Sequence, residues 1–185
     1  MAAKVSHLYG PSRPRTFEQD VLPHLNTVYN FVRHLTRNDQ DAEDVVQEAY
    51  LRAFRFYSRF RGGDARPWLL KIARNVFYTG LRQNSRFDQI DFGQDLTIPD
   101  RHFPNPEEAV LQSTTGAMLQ RALEALPSHC REVLVLRELE GMSYQEIATV
   151  LEVPTGTVMS RLSRARALLR QFMAESMTGN SGQMP

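Results

Sequence analysis

Apolar residues recur every three or four positions along most of the chain, and no stretch shows the alternation that predicts a half-buried strand. The helical pattern breaks in the middle, over 87–106, where Gly93, Pro99, Pro104 and Pro106 lie among acidic residues. We therefore expect an all-α protein with two small helical domains joined by a flexible acidic linker. The expected segments are a flexible tail over 1–15, a first domain over 16–86, the linker over 87–106, a second domain over 107–173 and a flexible tail over 174–185.

Three helices are expected in the first domain. The first begins with Thr16 and Gln19 in the positions of a capping box and is interrupted by Pro23. The second begins in the acidic segment 39–44, and the third begins at Pro67. In the second helix, the stripe expected to be buried consists of Ala42, Val45, Val46, Ala49, Ala53 and Phe54.

The net charge of +1 conceals an uneven distribution of the two signs. Segment 61–86 has six basic residues and one acidic residue, whereas 87–108 has one basic residue and six acidic residues. Segment 154–170 has four arginines and no acidic residue. A single basic block is typical of a solvated helix face, but two blocks on separate helices favour the binding of phosphate groups, as in nucleic acids.

The second domain ends in the pattern of a helix-turn-helix. A short helix is expected over 144–151, then a turn over 152–154 and a long basic helix from about 155. The long helix would direct inward the residues Val158, Leu162, Ala165, Leu169 and Phe172. Its opposite face fits the major groove of DNA. The alternative is a corner of two helices with a purely structural role, but the lack of acidic residues on this helix argues against it. The solvent-facing candidates are Thr155, Thr157, Ser160, Arg161 and Arg164.

Four blocks of the sequence together resemble a known family. They are 41–54 (DAEDVVQEAYLRAF), 67–75 (PWLLKIARN), 143–148 (SYQEIA) and 154–166 (PTGTVMSRLSRAR). In this order and spacing they resemble the bacterial extracytoplasmic-function sigma factors, the minimal two-domain form of the sigma-70 family, over about 16–172. The resemblance implies a non-enzymatic subunit that binds core RNA polymerase, recognises the −10 and −35 promoter elements and opens the duplex.

The resemblance also implies roles for three sets of residues. The second helix would dock on the clamp helices of the largest polymerase subunit through Asp44, Gln47, Glu48, Arg52 and Arg55. The third helix and the loop before it would hold the single-stranded non-template −10 strand, including a flipped base, through Arg61, Lys71, Arg74, Asn75, Tyr78 and Arg82. The double-stranded −35 element would be read by Thr155, Thr157, Met159, Ser160, Arg161, Ser163, Arg164 and Arg166.

Two positions of the promoter-reading helix depart from the family's usual pattern. Relatives commonly have lysine or arginine in place of Met159, and often a larger residue in place of Ser163. Because methionine cannot donate a hydrogen bond, Met159 suits a thymine methyl group better than a phosphate or a guanine, and an unusual −35 sequence is expected. Trp68, the only tryptophan, is expected to pack in the core rather than to stack on a base.

Other kinds of chemistry are not indicated. The five histidines are scattered and the single cysteine, Cys130, lacks partners, so neither a metal site nor a disulfide is expected. The sequence contains no phosphate loop, nucleophile elbow or dinucleotide motif, so we expect no cofactor, no small-molecule substrate and no enzymatic activity. No charged-then-apolar leader opens the chain and no apolar run is long enough to span a bilayer, which favours a cytoplasmic protein.

Two further functions are compatible with the residues alone. A stand-alone helix-turn-helix regulator would bind duplex DNA tightly without polymerase. An adaptor or anti-sigma antagonist would bind proteins and never DNA, which leaves the arginine-rich helix unexplained. Relatives in the family are often held inactive by a cognate anti-sigma factor, so the resemblance implies such a partner here, and that partner would be able to hold the protein near the membrane.

Overall fold

The computed structural model of the protein describes residues 16–84 and 114–179. Eight α-helices account for most of these residues, and no strand occurs among them. In chain order they are α1 (Phe17–Asp20), α2 (Leu25–Thr36), α3 (Asp39–Phe56), α4 (Ala65–Asn84), α5 (Thr114–Ala125), α6 (Ser128–Leu134), α7 (Tyr144–Leu151) and α8 (Thr155–Gly179). Two 3₁₀ turns, Leu22–His24 and Tyr57–Arg59, follow α1 and α3, and a π-helical turn, Val135–Leu139, follows α6.

Helices α2, α3 and α4 pack on one another and form the core of the first helical group. Their apolar residues follow the helical period, so each helix has one stripe that faces its neighbours. Alanines dominate the buried stripe of α3, and such small side chains allow α2 and α4 to pack closely on either side. The fully buried positions of this group include Val28, Phe31, Val32, Ala42, Ala53, Leu70 and Ala73.

The start of the first group matches the sequence expectation at Pro23, which lies in the 3₁₀ turn between α1 and α2. Proline has no amide hydrogen and its ring obstructs the preceding turn of an α-helix, so one continuous helix is not formed here. At the beginning of α1, the Thr16 amide donates to Gln19 Oε1 at 3.4 Å, which is the expected capping contact.

Side-chain caps also fix the beginnings of α3 and α7. The Asn38 carboxamide oxygen accepts hydrogen bonds from the first-turn amides of α3 at 2.8 and 3.2 Å. At α7 the capping box is complete, because the Ser143 amide donates to Glu146 Oε2 at 2.7 Å and the Glu146 amide donates to Ser143 Oγ at 3.3 Å. Before it, Gly141 adopts a φ of +66° in the turn that follows the π-helical segment, a conformation that glycine adopts readily.

In the second helical group, α6 and α7 pack against the buried stripe of α8. Val158, Leu162 and Ala165 are buried there, and Leu169 and Phe172 are partly buried against the same core, as the sequence predicted. The helix α8 continues to Gly179, whereas a flexible tail was expected from 174. The added residues include alanine, glutamate and methionine, which are good helix formers, and their propensity extends a helix that packing has already nucleated.

The two helical groups share one continuous cluster of buried apolar residues. Helix α4 of the first group packs on α7 of the second, and α2 packs on α6. The sequence predicted the two groups but not this contact between them. The expected amino-terminal tail and the acidic linker lie outside the described residues. Within the described ranges, no helix combines the length and the apolar character needed to cross a membrane.

Candidate nucleic-acid interface

The helix-turn-helix is held by a short, well-bonded turn between α7 and α8. Glu152 ends α7 in the left-handed conformation with a φ of 57°, and the amide of Val153 donates to the Ala148 carbonyl at 3.2 Å. The carbonyl of Pro154 then accepts from the amides of Thr157 and Val158 at 2.9 and 3.2 Å, which begins α8. These bonds fix which side of α8 faces the core and which side faces solvent.

The solvent side of α8 presents the residues predicted to read the −35 element. Two of them, Thr157 and Arg161, are partly exposed, and the others are exposed: Thr155, Met159, Ser160, Ser163, Arg164 and Arg166. Met159, in the second turn of α8, is 54% exposed. Arg161 and Arg164 form no ion pair with any residue in the described ranges. The structure therefore places the whole predicted set on the solvent side of α8.

Arg166 differs from the other arginines of this face because it has an acidic partner. Its Nη2 lies 2.6 Å from Oε1 of Glu138, and both side chains are exposed. The hydrogen bond to Glu138 and the charge of that carboxylate raise the pKa of the Arg166 guanidinium. Contact of Arg166 with a phosphate would thus require it to exchange partners.

A second candidate surface is a stripe along α4. Five of the positions predicted to bind the −10 strand follow the helical period and share one side of α4: Lys71, Arg74, Asn75, Tyr78 and Arg82. Asn75 and Arg82 are exposed, as is Arg61 in the loop before α4. Arg74 and Tyr78 were expected to face a DNA strand, but in this structure the second helical group covers them.

The cover over α4 centres on Glu132 of α6, which is only 1% exposed. Its Oε1 accepts from Arg74 Nε at 3.0 Å and from the Tyr78 hydroxyl at 2.8 Å, and its Oε2 lies 3.4 Å from Arg74 Nη2. The Arg74 guanidinium also lies over the Tyr78 ring, 4.7 Å from the ring centre. Burial, and then the neighbouring Glu132 carboxylate, raise the pKa of the Tyr78 hydroxyl, so this residue stays neutral and donates its proton to the contact.

Two more pairs cross between the groups around this centre. Lys71 Nζ lies 2.8 Å from Oε1 of Glu152, in the turn of the helix-turn-helix. Arg66 Nη1 donates to the Glu140 carbonyl at 3.1 Å, and its Nη2 lies 3.4 Å from Glu146 Oε1. Around this centre, Lys71, Arg74 and Arg66 of the first group therefore contact acceptors on the second group.

A third surface lies on α3 and contains the residues predicted to dock on polymerase. Asp44, Gln47 and Arg55 are exposed, and Glu48 and Arg52 form a partly exposed pair with an Nε–Oε1 distance of 2.6 Å. All five follow the helical period of one face. The structure thus brings this set together.

Sequence reasoning missed two apolar residues on or beside the α3 face. Leu51 is 48% exposed among the polar docking residues. Phe54 was expected in the buried stripe, but it is 64% exposed and contacts Phe17 edge-on with ring centres 5.2 Å apart. The buried stripe ends at Ala53, and each helical residue is turned by about 100° from its neighbour, so Phe54 lies at the margin of the stripe. Leu51 could have been found from the sequence, because helical spacing places this apolar residue on the same face as the predicted docking residues Gln47, Glu48 and Arg55.

Trp68 packs against the core, as the sequence predicted, with its ring centre 5.1 Å from that of Phe60. In the described ranges, no group of three or more histidine, cysteine, aspartate or glutamate side chains has an arrangement that would hold a metal ion. Cys130 is buried and forms no disulfide with any residue in the described ranges.

Comparison with known proteins identifies both halves of the chain. The fold defines an all-helical protein with two helical groups, each of which carries one basic helix. The family profile "Sigma-70 region 2" matches residues 21–87, and "Sigma-70, region 4" matches residues 116–169. The chain belongs to the extracytoplasmic-function (ECF) sigma factors of the sigma-70 family.

Three relatives show how far the similarity extends. The "ECF RNA polymerase sigma factor SigE" of Mycolicibacterium smegmatis is 36% identical over 160 residues, which are 86% of this chain and 62% of the relative. The "RNA polymerase sigma-H factor" of Pseudomonas aeruginosa is 35% identical over 82% of this chain and 83% of its own length. The "ECF RNA polymerase sigma-E factor" of Escherichia coli K12 is 36% identical over 68% of this chain and 70% of its own length.

Two solved structures are similar in fold. The sigma factor RpoE of Bartonella quintana, in complex with the anti-sigma factor NepR, has a TM-score of 0.66 and 26% identity, covering 85% of this chain and 96% of that chain. CnrH, in complex with the cytosolic domain of CnrY, has a TM-score of 0.62 and 26% identity, covering 86% of this chain and 88% of that chain.

Proposed function

We propose that this protein is an alternative sigma factor that binds core RNA polymerase, directs it to particular promoters through −10 and −35 elements, and promotes opening of the duplex. One observation carries the proposal: the same chain has an exposed arginine face on α8 and a stripe of cations and an aromatic ring on α4. A stand-alone helix-turn-helix regulator requires only the first surface, whereas an initiation factor requires one surface for duplex and one for single strand.

The α8 face serves as the reader of the −35 duplex. The first turns of α8 enter the major groove, where Thr155, Thr157 and Ser160 meet base edges and Met159 contacts a thymine methyl group. Arg161 and Arg164 bind phosphate or guanine, because neither is held by an acidic side chain of the described ranges. Arg166 joins them after leaving Glu138, and Ser163 leaves room beside it for the DNA backbone.

The α4 stripe serves as the binder of the non-template −10 strand. Lys71, Arg74 and Arg82 follow the strand's phosphates, the Tyr78 ring stacks on an unpaired base, and Asn75 reads a base edge. Arg61 approaches the strand from the loop before α4. Binding to the separated strand stabilises the open duplex over the closed one, which is how a protein without catalytic groups promotes melting.

The α3 face docks on core RNA polymerase. Asp44, Gln47, Glu48, Arg52 and Arg55 provide the polar rim, and exposed Leu51 provides an apolar centre, an arrangement typical of protein interfaces. The partner on polymerase is the clamp-helix coiled coil.

The proposal also states how and where the protein acts and what inhibits it. The protein supplies no catalytic groups of its own and acts through binding, in the cytoplasm where promoters are found. The two solved relatives described above are complexes with NepR and with the cytosolic domain of CnrY, which supports a cognate anti-sigma factor as the partner that inhibits this protein.

The test is reconstitution with bacterial core RNA polymerase on fragmented genomic DNA. The protein is expected to form a stable holoenzyme and to start transcripts at defined sites. A double variant, Arg161→Ala with Arg164→Ala, is expected to form the holoenzyme but to lose initiation at those sites. Tight, site-specific duplex binding by the protein alone, with no initiation in the presence of active core enzyme, would favour the stand-alone regulator instead.

A further inference from the structure

The described part of the molecule is closed, and its two proposed DNA-binding surfaces are not equally accessible. The second helical group covers Arg74 and Tyr78, which are partly and almost fully buried, whereas the α8 face remains exposed. The contact that covers α4 is therefore compatible with duplex binding and incompatible with strand binding through the same two side chains.

We infer that Glu132 is an internal competitor of the −10 strand, and that it holds the protein in an autoinhibited form. This inference rests on the proposed role of α4 in strand binding. Both carboxylate oxygens of Glu132 contact the Arg74 guanidinium, and one of them also accepts from the Tyr78 hydroxyl. A phosphate group would engage Arg74 and Tyr78 in the same way. The strand and Glu132 cannot occupy these donors together.

The surroundings of Glu132 explain why the competition is strong. The carboxylate is almost fully buried, and both of its hydrogen-bond donors lie on α4, so opening the molecule exchanges a compact ionic contact for solvent. Removing the charge of Glu132 while the molecule stays closed would leave the Arg74 guanidinium buried beside a neutral group, which is strongly unfavourable. Loss of this single charge therefore shifts the protein towards the open form.

Two hydrogen bonds on the other side of the interface add to the closure. The Arg131 guanidinium donates to the His34 carbonyl of α2 at 3.1 Å, and the Arg37 guanidinium donates to the Glu124 carbonyl at 2.6 Å. At the rim, Lys71 pairs with Glu152. Binding of polymerase or of a promoter would have to separate these contacts before the −10 strand can reach α4, so the −35 duplex is engaged before the −10 strand.

The experiment measures closure and strand binding on the full chain. Glu132→Gln is compared with Glu175→Gln, which removes the same charge from an exposed position near the end of α8. Small-angle X-ray scattering reports the radius of gyration, and fluorescence anisotropy reports binding of a labelled single-stranded DNA of mixed sequence and of the corresponding duplex. Circular dichroism confirms that each variant is folded.

Glu132→Gln is expected to increase the radius of gyration and to strengthen single-strand binding by at least about tenfold, because apparent affinity scales with the open fraction. Duplex binding is expected to change by less than about twofold, since the α8 face is already exposed. Glu175→Gln is expected to leave all three quantities unchanged. A radius of gyration that increases without a gain in strand binding would overturn the inference, as would a strand affinity that Glu132→Gln and Glu175→Gln raise equally.

A second variant keeps the test valid if Glu132→Gln does not fold. Glu152→Lys replaces the rim pair with Lys71 by a repulsion, at an exposed turn position where lysine meets the same backbone requirement as glutamate. It is expected to open the molecule and to strengthen strand binding more than Glu175→Lys does; equal gains would overturn the inference. Initiation assays with core polymerase separate the two proposals: a wild-type protein that never initiates overturns the proposed function, whereas variants that initiate but show no gain in strand binding overturn only the role of Glu132.

Discussion

Arg131 of α6 donates a hydrogen bond from Nη1 to the backbone carbonyl of His34 at the end of α2, with a distance of 3.1 Å, so a buried guanidinium joins the two helical groups. The same side chain donates to the carbonyls of Leu123 and Leu126 at 3.0 and 2.8 Å. It therefore closes the turn between α5 and α6 and at the same time contacts the first group.

Arg131→Met is expected to lower the free energy of unfolding by about 3 kcal/mol or more, because several buried carbonyl groups lose their donor at once. The measurement is urea denaturation followed by circular dichroism. Arg170→Met is the matched control, since Arg170 is an exposed arginine of α8, and its effect is expected to stay within about 0.5 kcal/mol. Equal effects of the two substitutions would contradict the role assigned to Arg131.

The Glu146 carboxylate makes stability depend on pH. The Ser143 side chain and amide hold the pKa of Glu146 below its usual value of 4.5. A carboxylate with a lowered pKa in the folded state stabilises the protein at pH values above about 4.5 and loses this effect as the pH falls through the folded-state pKa.

Glu146→Gln is therefore expected to cost about 0.5 to 1 kcal/mol at neutral pH, where it removes a negative charge from the first turn of α7. The difference between wild type and variant is expected to disappear in acid, where the wild-type carboxyl is also neutral. Urea denaturation of both proteins at neutral pH and in acid measures the difference in the free energy of unfolding. A difference that is the same at both would show that the charge of Glu146 is not responsible.

Local features of the fold were predictable from the sequence because their causes are local. Ser143 and Glu146 form the capping box, α7 ends where the turn was expected, and Val158 and Leu162 are buried on the predicted side of α8. Each of these depends on residues within one or two helical turns, where spacing and side-chain chemistry determine the outcome.

The contact between Arg74 and Glu132 was not predictable in this way. The two residues are 58 positions apart, and each one alone has the sequence context of a solvated charge. Only the packing of α4 on the second helical group brings them together, and no periodicity in a single sequence encodes such a pairing. The exposure of Phe54 escaped prediction for a related reason, because a residue at the margin of an apolar stripe is buried or exposed according to its neighbours.

Leu51→Ser is expected to weaken the binding of core RNA polymerase by at least about tenfold, because a half-exposed leucine within the proposed docking face would be buried in the complex. The free energy of unfolding is expected to change little, since the side chain is already half in water. Co-elution of the protein with core enzyme in size-exclusion chromatography measures the effect. The matched control is Leu25→Ser on α2, also about half exposed and outside the docking face. Retained binding by Leu51→Ser would remove α3 from the interface.

Arg164→Ala is expected to weaken promoter binding by the holoenzyme and to reduce the slope of log affinity against log salt by about one, as befits the loss of one phosphate contact. Glu138→Gln is expected to act in the opposite direction, because it releases Arg166 from its acidic partner and adds a cation to the DNA-binding face. Filter binding over a range of salt concentrations measures both slopes. Unchanged slopes for both variants would contradict the docking of α8 on DNA.

Met159→Lys tests which part of the DNA the second turn of α8 approaches. Met159 is more than half exposed near the start of α8, and a lysine there would add a positive charge to the proposed DNA-binding face. If the methionine contacts a base edge, the variant is expected to change which −35 sequences are bound, with discrimination altered by about 1–3 kcal/mol at one base pair. If it instead faces the backbone, the lysine would increase the salt slope by about one without changing sequence preference. Selection of bound promoters from a randomised −35 library, repeated at two salt concentrations, distinguishes these results. We expect the change in sequence preference, and binding that is unaltered in both respects would show that this face of α8 does not contact DNA.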